Sequence, residues 1–120
     1  MRSENRTYGM NTIEVTYLHE AQDFMFSIDE AASKKLAYNI GKVCLGIKDK
    51  DIFSKLGDTD IWEFRALHNG MCYRLFSFWD TNANSLIIAT HGIVKKSQKT
   101  PKQEIVKAEA IRFEYMNQHK

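Results

Sequence analysis

The sequence predicts an α+β domain: a small, mainly antiparallel sheet packed by two N-terminal helices and a C-terminal helix, in the order β-α-α-β-β-β-α. Three observations carry this prediction. Leu36, Ile40, Val43 and Ile47 recur at helical spacing and draw one apolar stripe. The pair Asn69-Gly70 separates two apolar runs as a tight hairpin requires. Thr100-Pro101-Lys102-Gln103 has the form of a helix start, with a threonine cap and a proline at the first position.

Each element follows in order. Residues 1–11 are polar and read as a flexible tail, with residues 12–120 as a single domain. Ile13, Val15 and Tyr17 alternate with Glu14 and Thr16 in a first strand. An apolar turn is expected around Phe24 to Phe26. Ser27-Ile28-Asp29-Glu30 fits a capping box at the start of the main helix. The polar segment Lys48 to Asp51 ends the stripe. A short second helix through Ile52, Phe53 and Leu56 closes at Gly57. Ile61 to Leu67 and Cys72 to Trp79 form the hairpin, and Asp80 to Asn84 is a looser turn. Leu86 to Val94 is the next strand. Its unbroken run Leu86-Ile87-Ile88-Ala89 marks it as central and covered on both faces. In the final helix Ile105, Ala108, Ile111 and Tyr115 form the docking face.

With 120 residues the chain makes one domain with one core. No apolar run approaches the roughly 20 residues of a membrane helix, and Met1 to Thr12 lacks the apolar stretch of a signal peptide. Cys44 and Cys72 lie in apolar patterns with no C-x-x-C spacing, and read as reduced core residues of a cytoplasmic protein, with a disulfide as the alternative. His19, His68, His91 and His119 are scattered without metal-ligand spacing, and the six glycines form no phosphate-binding cluster. Neither a metal nor a cofactor is expected.

Charge is more informative. The net charge of +2 hides a polarised chain. Lys95, Lys96, Lys99 and Lys102 fall within eight positions, and no acidic residue occurs between Asp80 and Glu104. A concentrated cationic edge points to a polyanionic partner. Solvated lysines that protect a strand edge are the bland reading, which explains one lysine better than four. The Asn69-Gly70 hairpin brings Arg65 and Arg74 within about 5–8 Å of each other. For Arg65, an ion pair with Glu63 competes with a phosphate contact. Arg74, on a face shared with Phe76 and Phe78, is either a strand-end snorkeller or a placed cation. His91 shares parity with Lys95. It reads either as a proton-transfer group or as a satisfied polar residue of a central strand. Cys72 reads as a buried thiol, with a nucleophile as the minor alternative.

These same residues carry a family likeness. Ile61-Trp62-Glu63-Phe64-Arg65, Tyr73-Arg74-Leu75-Phe76 and His91-Gly92-x-x-Lys95-Lys96-x-x-Lys99-Thr100-Pro101 resemble the RelE/ParE superfamily of toxins, and within it the phage-derived, HigB-like branch. Glu104-Ile105-x-x-Ala108-x-x-x-Arg112 extends the resemblance, which covers roughly residues 11–118. It implies a RelE-like fold and a cytoplasmic type II toxin silenced by a cognate antitoxin. The toxin would cut mRNA on the translating ribosome, without metal, by attack of the ribose 2′-hydroxyl on the adjacent phosphate. By position, Arg74, Lys95, Lys96 and His91 are the implied catalytic residues, with Arg65, Lys99 and Lys102 as RNA phosphate contacts. Some relatives carry a tyrosine or histidine after the last strand, where this chain reads Ser97-Gln98-Lys99. A lysine, His91 or Glu63 is left as the base. The alternative is a non-catalytic module on the same scaffold, either a ParE-like gyrase inhibitor or an inactive antitoxin-binding relic.

Overall fold

The structure is a computed structural model that describes residues 12–83, 85–96 and 99–119. The expected tail at residues 1–11 therefore lies outside the described residues, as do Asn84, Ser97 and Gln98. The order is β1 (Glu14–Tyr17), α1 (His19–Ser27), α2 (Glu30–Cys44), β2 (Phe53–Lys55), β3 (Trp62–His68), β4 (Met71–Trp79), β5 (Leu86–Lys95) and α3 (Lys102–Gln118). The five strands lie in the order β1-β5-β4-β3-β2. All neighbours are antiparallel except β1 and β5, which are parallel.

The α+β class holds, and three local expectations are corrected. Phe24 to Phe26 is part of helix α1 rather than a turn. Ala21 is fully buried there, and Phe24 packs so tightly over Gly92 that a Cβ at Gly92 would lie 2.3 Å from its ring. Residues 52–57 form no helix. Phe53–Lys55 is an edge strand whose Phe53 stacks on Trp62 and Phe64 at centroid separations of 4.9 and 4.3 Å. Six residues cannot offset the cost of nucleating a helix, whereas cross-strand aromatic packing is available at once. The cap of α2 is Asp29, not Ser27: the Asp29 carboxylate accepts from the Ala32 amide at 3.2 Å. The helix also ends earlier than the stripe suggests. Amides of Gly46 and Ile47 turn back onto the carbonyls of Val43 and Lys42, so Ile47 lies beyond the helix.

Two apolar clusters flank the sheet. Ala32, Leu36, Ile40 and Val43 of α2 pack with Phe64, Ala66, Leu75, Ile87 and Ala89 on one face. Ala108 of α3 packs with Ile61, Phe76, Phe78 and Ile88 on the other. Strand β5 is interior, as its unbroken apolar run predicts, and β4 occupies the centre with Cys72 to Phe78 all buried. The Asn69-Gly70 hairpin forms with both residues at positive φ, +50° and +75°, which is the backbone such a two-residue turn demands. Cys44 and Cys72 are both buried and free.

One irregularity organises the α3 face. Phe76 pairs with His91 while Ser77 pairs with Ala89, which leaves Thr90 as an extra residue in β5. Before this bulge the even positions of β5 face α3; after it the odd positions do. Without it His91 would join Ile87 and Ala89 beneath α2. With it, His91, Ile93 and Lys95 share the α3 face with Arg74.

Candidate functional site

The hairpin register sets Arg65 directly opposite Arg74, and places Glu63 diagonal to Arg74 on the same face. Two arginines at adjacent positions would repel one another, and Glu63 answers both. Its Oε2 accepts from Arg74 Nη1 at 2.8 Å and lies 3.5 Å from Arg65 Nε. Glu63 is 1% exposed and Arg74 is not exposed at all. Arg74 is thus a placed cation held inside the fold, and it does not snorkel to solvent. Arg65 keeps about a quarter of its side chain exposed and also donates from Nη2 to the Lys50 carbonyl at 2.9 Å.

Thr100 completes this network, in a role other than the helix cap its sequence context suggests. The N-cap position of α3 is Pro101, and no side chain caps that end. The Thr100 hydroxyl donates to Glu63 Oε1 at 2.9 Å and accepts from Arg74 Nη1 at 3.1 Å. An N-cap bond is commonly worth about 1 kcal/mol, and hydrogen bonds to charged groups about 1.5–3 kcal/mol. The preference of this hydroxyl for the buried ion pair follows from that ordering.

A second polar cluster lies further along the same face. His91 is 2% exposed, stacks on Phe76 at 4.9 Å, and places Nε2 3.1 Å from Glu104 Oε1 of α3. Its Nδ1 lies 2.9 Å from the Thr90 hydroxyl. Burial pushes the His91 pKa below its ordinary 6.5, and the Glu104 hydrogen bond opposes that shift. Both ring nitrogens are thus engaged, Nε2 with Glu104 and Nδ1 with the Thr90 hydroxyl, which also reaches the Phe76 carbonyl at 3.3 Å. At the far end of α3, the Tyr115 hydroxyl donates to Asp80 Oδ2 at 2.7 Å. Burial, reinforced by that carboxylate, pushes the Tyr115 hydroxyl up to about 12.

The lysines behave differently from the arginines. Lys95, Lys96, Lys99 and Lys102 are all exposed. By register, Lys95 stands opposite Cys72 on the Arg74 face, and Lys96 follows the strand end. Lys102 opens α3 and lines a separate cleft of about 380 Å³ with the 56–59 loop. The structure therefore gathers Arg65, Arg74, Lys95 and His91 on one face, with only Arg65 and the lysines reaching solvent. Cys72, on that face, is 1% exposed, and burial raises its thiol pKa, as expected of a core residue. Among the described residues, no three His, Cys, Asp or Glu side chains come together to hold a metal. No helix among them is long and apolar enough to cross a membrane.

Sequence reasoning missed the partnerships of Thr100 and Glu104. Glu63 could have been read as the partner of Arg74, because the hairpin register alone makes the two diagonal neighbours. Nothing local announces Thr100, whose bonds span 37 and 26 residues of chain.

Residues 23–112, which include β2 to β5 and the first part of α3, match the family model described as Phage derived protein Gp49-like (DUF891). The chain belongs to that family. The Gp49-like proteins are phage-derived and of RelE/ParE-like toxin type, so the toxin character implied by the resemblance stands at that level. No curated protein matches the chain. As a Gp49-like protein it carries its buried Glu63–Arg74 pair, its Thr100 bridge and its lysine-rich strand end all within the matched span.

Proposed function

We propose that this Gp49-like protein is the toxin of a type II toxin-antitoxin pair, of HigB-like character, and that it cleaves mRNA on the translating ribosome without metal. The observation that carries the reading is the division of cations on one face. A buried, charge-compensated arginine shares its face with the exposed Lys95 and the partly exposed Arg65, and the exposed Lys96 and Lys99 follow Lys95 in the chain to extend that cationic rim. Such a rim fits a phosphate backbone, and the buried pair fixes the strands that present it.

In this mechanism the ribose 2′-oxygen bonds to the adjacent phosphorus as its proton passes to solvent water, and the bond to the 5′-oxygen breaks, leaving a 2′,3′-cyclic end. Arg65 and the lysines stabilise charge developing on the phosphorane oxygens, and Lys95 or Lys96 protonates the departing 5′-oxygen. Arg74, its charge compensated by Glu63, holds in register the strands that present these cations. His91, with both ring nitrogens engaged, serves to hold α3 in place. The ribosome supplies substrate alignment, a contribution that can exceed that of any one side chain. A cognate antitoxin would mask the cationic rim through complementary charge.

Replacing Lys95 and Lys96 together by alanine tests this reading, because both are surface residues whose loss leaves the core intact. Growth inhibition should disappear while the protein stays folded. A folded double variant that remains fully toxic would overturn the assignment. The engagement of Arg74 and His91 inside the fold also favours one other reading, a non-catalytic module that uses the lysines only to bind. Expression would then provoke a DNA-damage response, as a gyrase inhibitor does, or no response at all, in place of translation arrest.

A further inference from the structure

We infer that Thr100 is the positioning residue of this site: its hydroxyl fastens the lysine-bearing crossover between β5 and α3 to the buried Glu63–Arg74 pair. The inference rests on the nuclease reading for its consequence, but not for its geometry. The crossover leaves the sheet at Lys95, whose register against Cys72 fixes one end. It enters α3 at Lys102, and Thr100 is the last side chain before that helix with a hydrogen bond into the sheet. That bond is double. The hydroxyl donates to Glu63 Oε1 and accepts from Arg74 Nη1, so it reads both members of the ion pair at once.

Two further observations support a tether in place of an incidental contact. The sequence Thr100-Pro101-Lys102-Gln103 is suited to capping α3, yet that cap is not made and the hydroxyl points to the sheet instead. One turn into α3, Glu104 meets His91 of β5 at 3.1 Å, so the helix start is pinned twice to neighbouring strands. The consequence is spatial: Lys99 and Lys102 lie one and two residues from the tethered Thr100, so its two hydrogen bonds fix the backbone from which they project. A phosphorane needs its cations placed to within a fraction of an ångström, so a loosened crossover loses rate before it loses charge.

The test uses Thr100→Val, which keeps the shape and removes both bonds, and Thr100→Ser, which keeps the hydroxyl. Two readouts are taken on the full-length protein: turnover and KM for cleavage of mRNA on translating ribosomes, and amide hydrogen exchange at Glu104 to Lys107. Thr100→Val should lower turnover on the order of tenfold or more. KM should change little, because every lysine is still present. Exchange at the start of α3 should quicken. Thr100→Ser should restore both. A valine variant with wild-type turnover and wild-type exchange refutes the tether, and so does a serine variant as impaired as the valine one. Quicker exchange in Thr100→Val with no cleavage by any form, wild type included, would leave the tether standing and remove the nuclease reading.

Discussion

Removing the carboxylate of Glu63 is the sharpest perturbation of this fold. Glu63→Ala leaves the Arg74 guanidinium wholly buried with its counter-charge gone, since that nitrogen's carboxylate partner lies 2.8 Å away in the intact protein. Breaking a buried pair from one side costs about 3–5 kcal/mol. The accompanying loss at Arg65 is small, because its side chain is a quarter exposed and water screens it. A domain of this size has a total stability of about 5–15 kcal/mol, so one substitution removes a large share of it. With a urea slope of about 1.5 kcal/mol per molar, the unfolding midpoint should fall by about 2–3 M. The companion variant Glu63→Leu with Arg74→Met takes away both charges and should recover most of that loss. Urea unfolding followed by circular dichroism measures all three proteins. A midpoint shift under about 0.5 M for Glu63→Ala, or a double variant no more stable than the single one, would refute the reasoning.

Two other predictions follow from the packing and the titration of this face. Gly92→Ala would drive a methyl to 2.3–2.5 Å from the Phe24 ring, and should cost about 1–3 kcal/mol; Phe24→Ala in the same chain should make that cost smaller than it is alone. Because the folded-state pKa of His91 lies below 6.5, the unfolded chain binds more protons than the folded one as pH falls through 6.5. Stability should therefore decline as the solution is acidified from about pH 6.5 toward the folded-state pKa, and His91→Gln should flatten that part of the profile in pH-dependent thermal melts.

How much of this could be read from the chain depends on how local each cause is. The hairpin was legible because Asn69-Gly70 fixes its own register, and with that register comes the apposition of Arg65 and Arg74. The interior position of β5 was legible from Leu86-Ile87-Ile88-Ala89. The docking of α3 was legible in part: Ala108 is buried as expected, while Met116 joins the contact unannounced. Other features are decided by tertiary context. The apolar residues at 52, 53 and 56 suit a helical turn as well as a strand, and only the rings of Trp62 and Phe64 choose between them. The spacing of Ala21, Phe24, Met25 and Ile28 is helical, but α1 is nine residues long with one buried residue, too faint a stripe to stand out. The bulge at Thr90 reverses the parity of everything after it and has no signature in the sequence. At the site, the exposed lysines were plain from charge alone. The burial of Arg74 was not, because an arginine that is paired and one that is presented to a ligand occupy the same alternating position in a strand.

The measurement that bears most directly on the central claim is a map of mRNA 3′ ends in a reconstituted translation system, with and without the purified protein. Wild-type protein should generate new ends bearing 2′,3′-cyclic phosphate only while ribosomes translate, and the Lys95→Ala, Lys96→Ala double variant should generate none. Intact mRNA in the presence of folded wild-type protein would contradict the account and leave the lysine rim as a surface for binding alone.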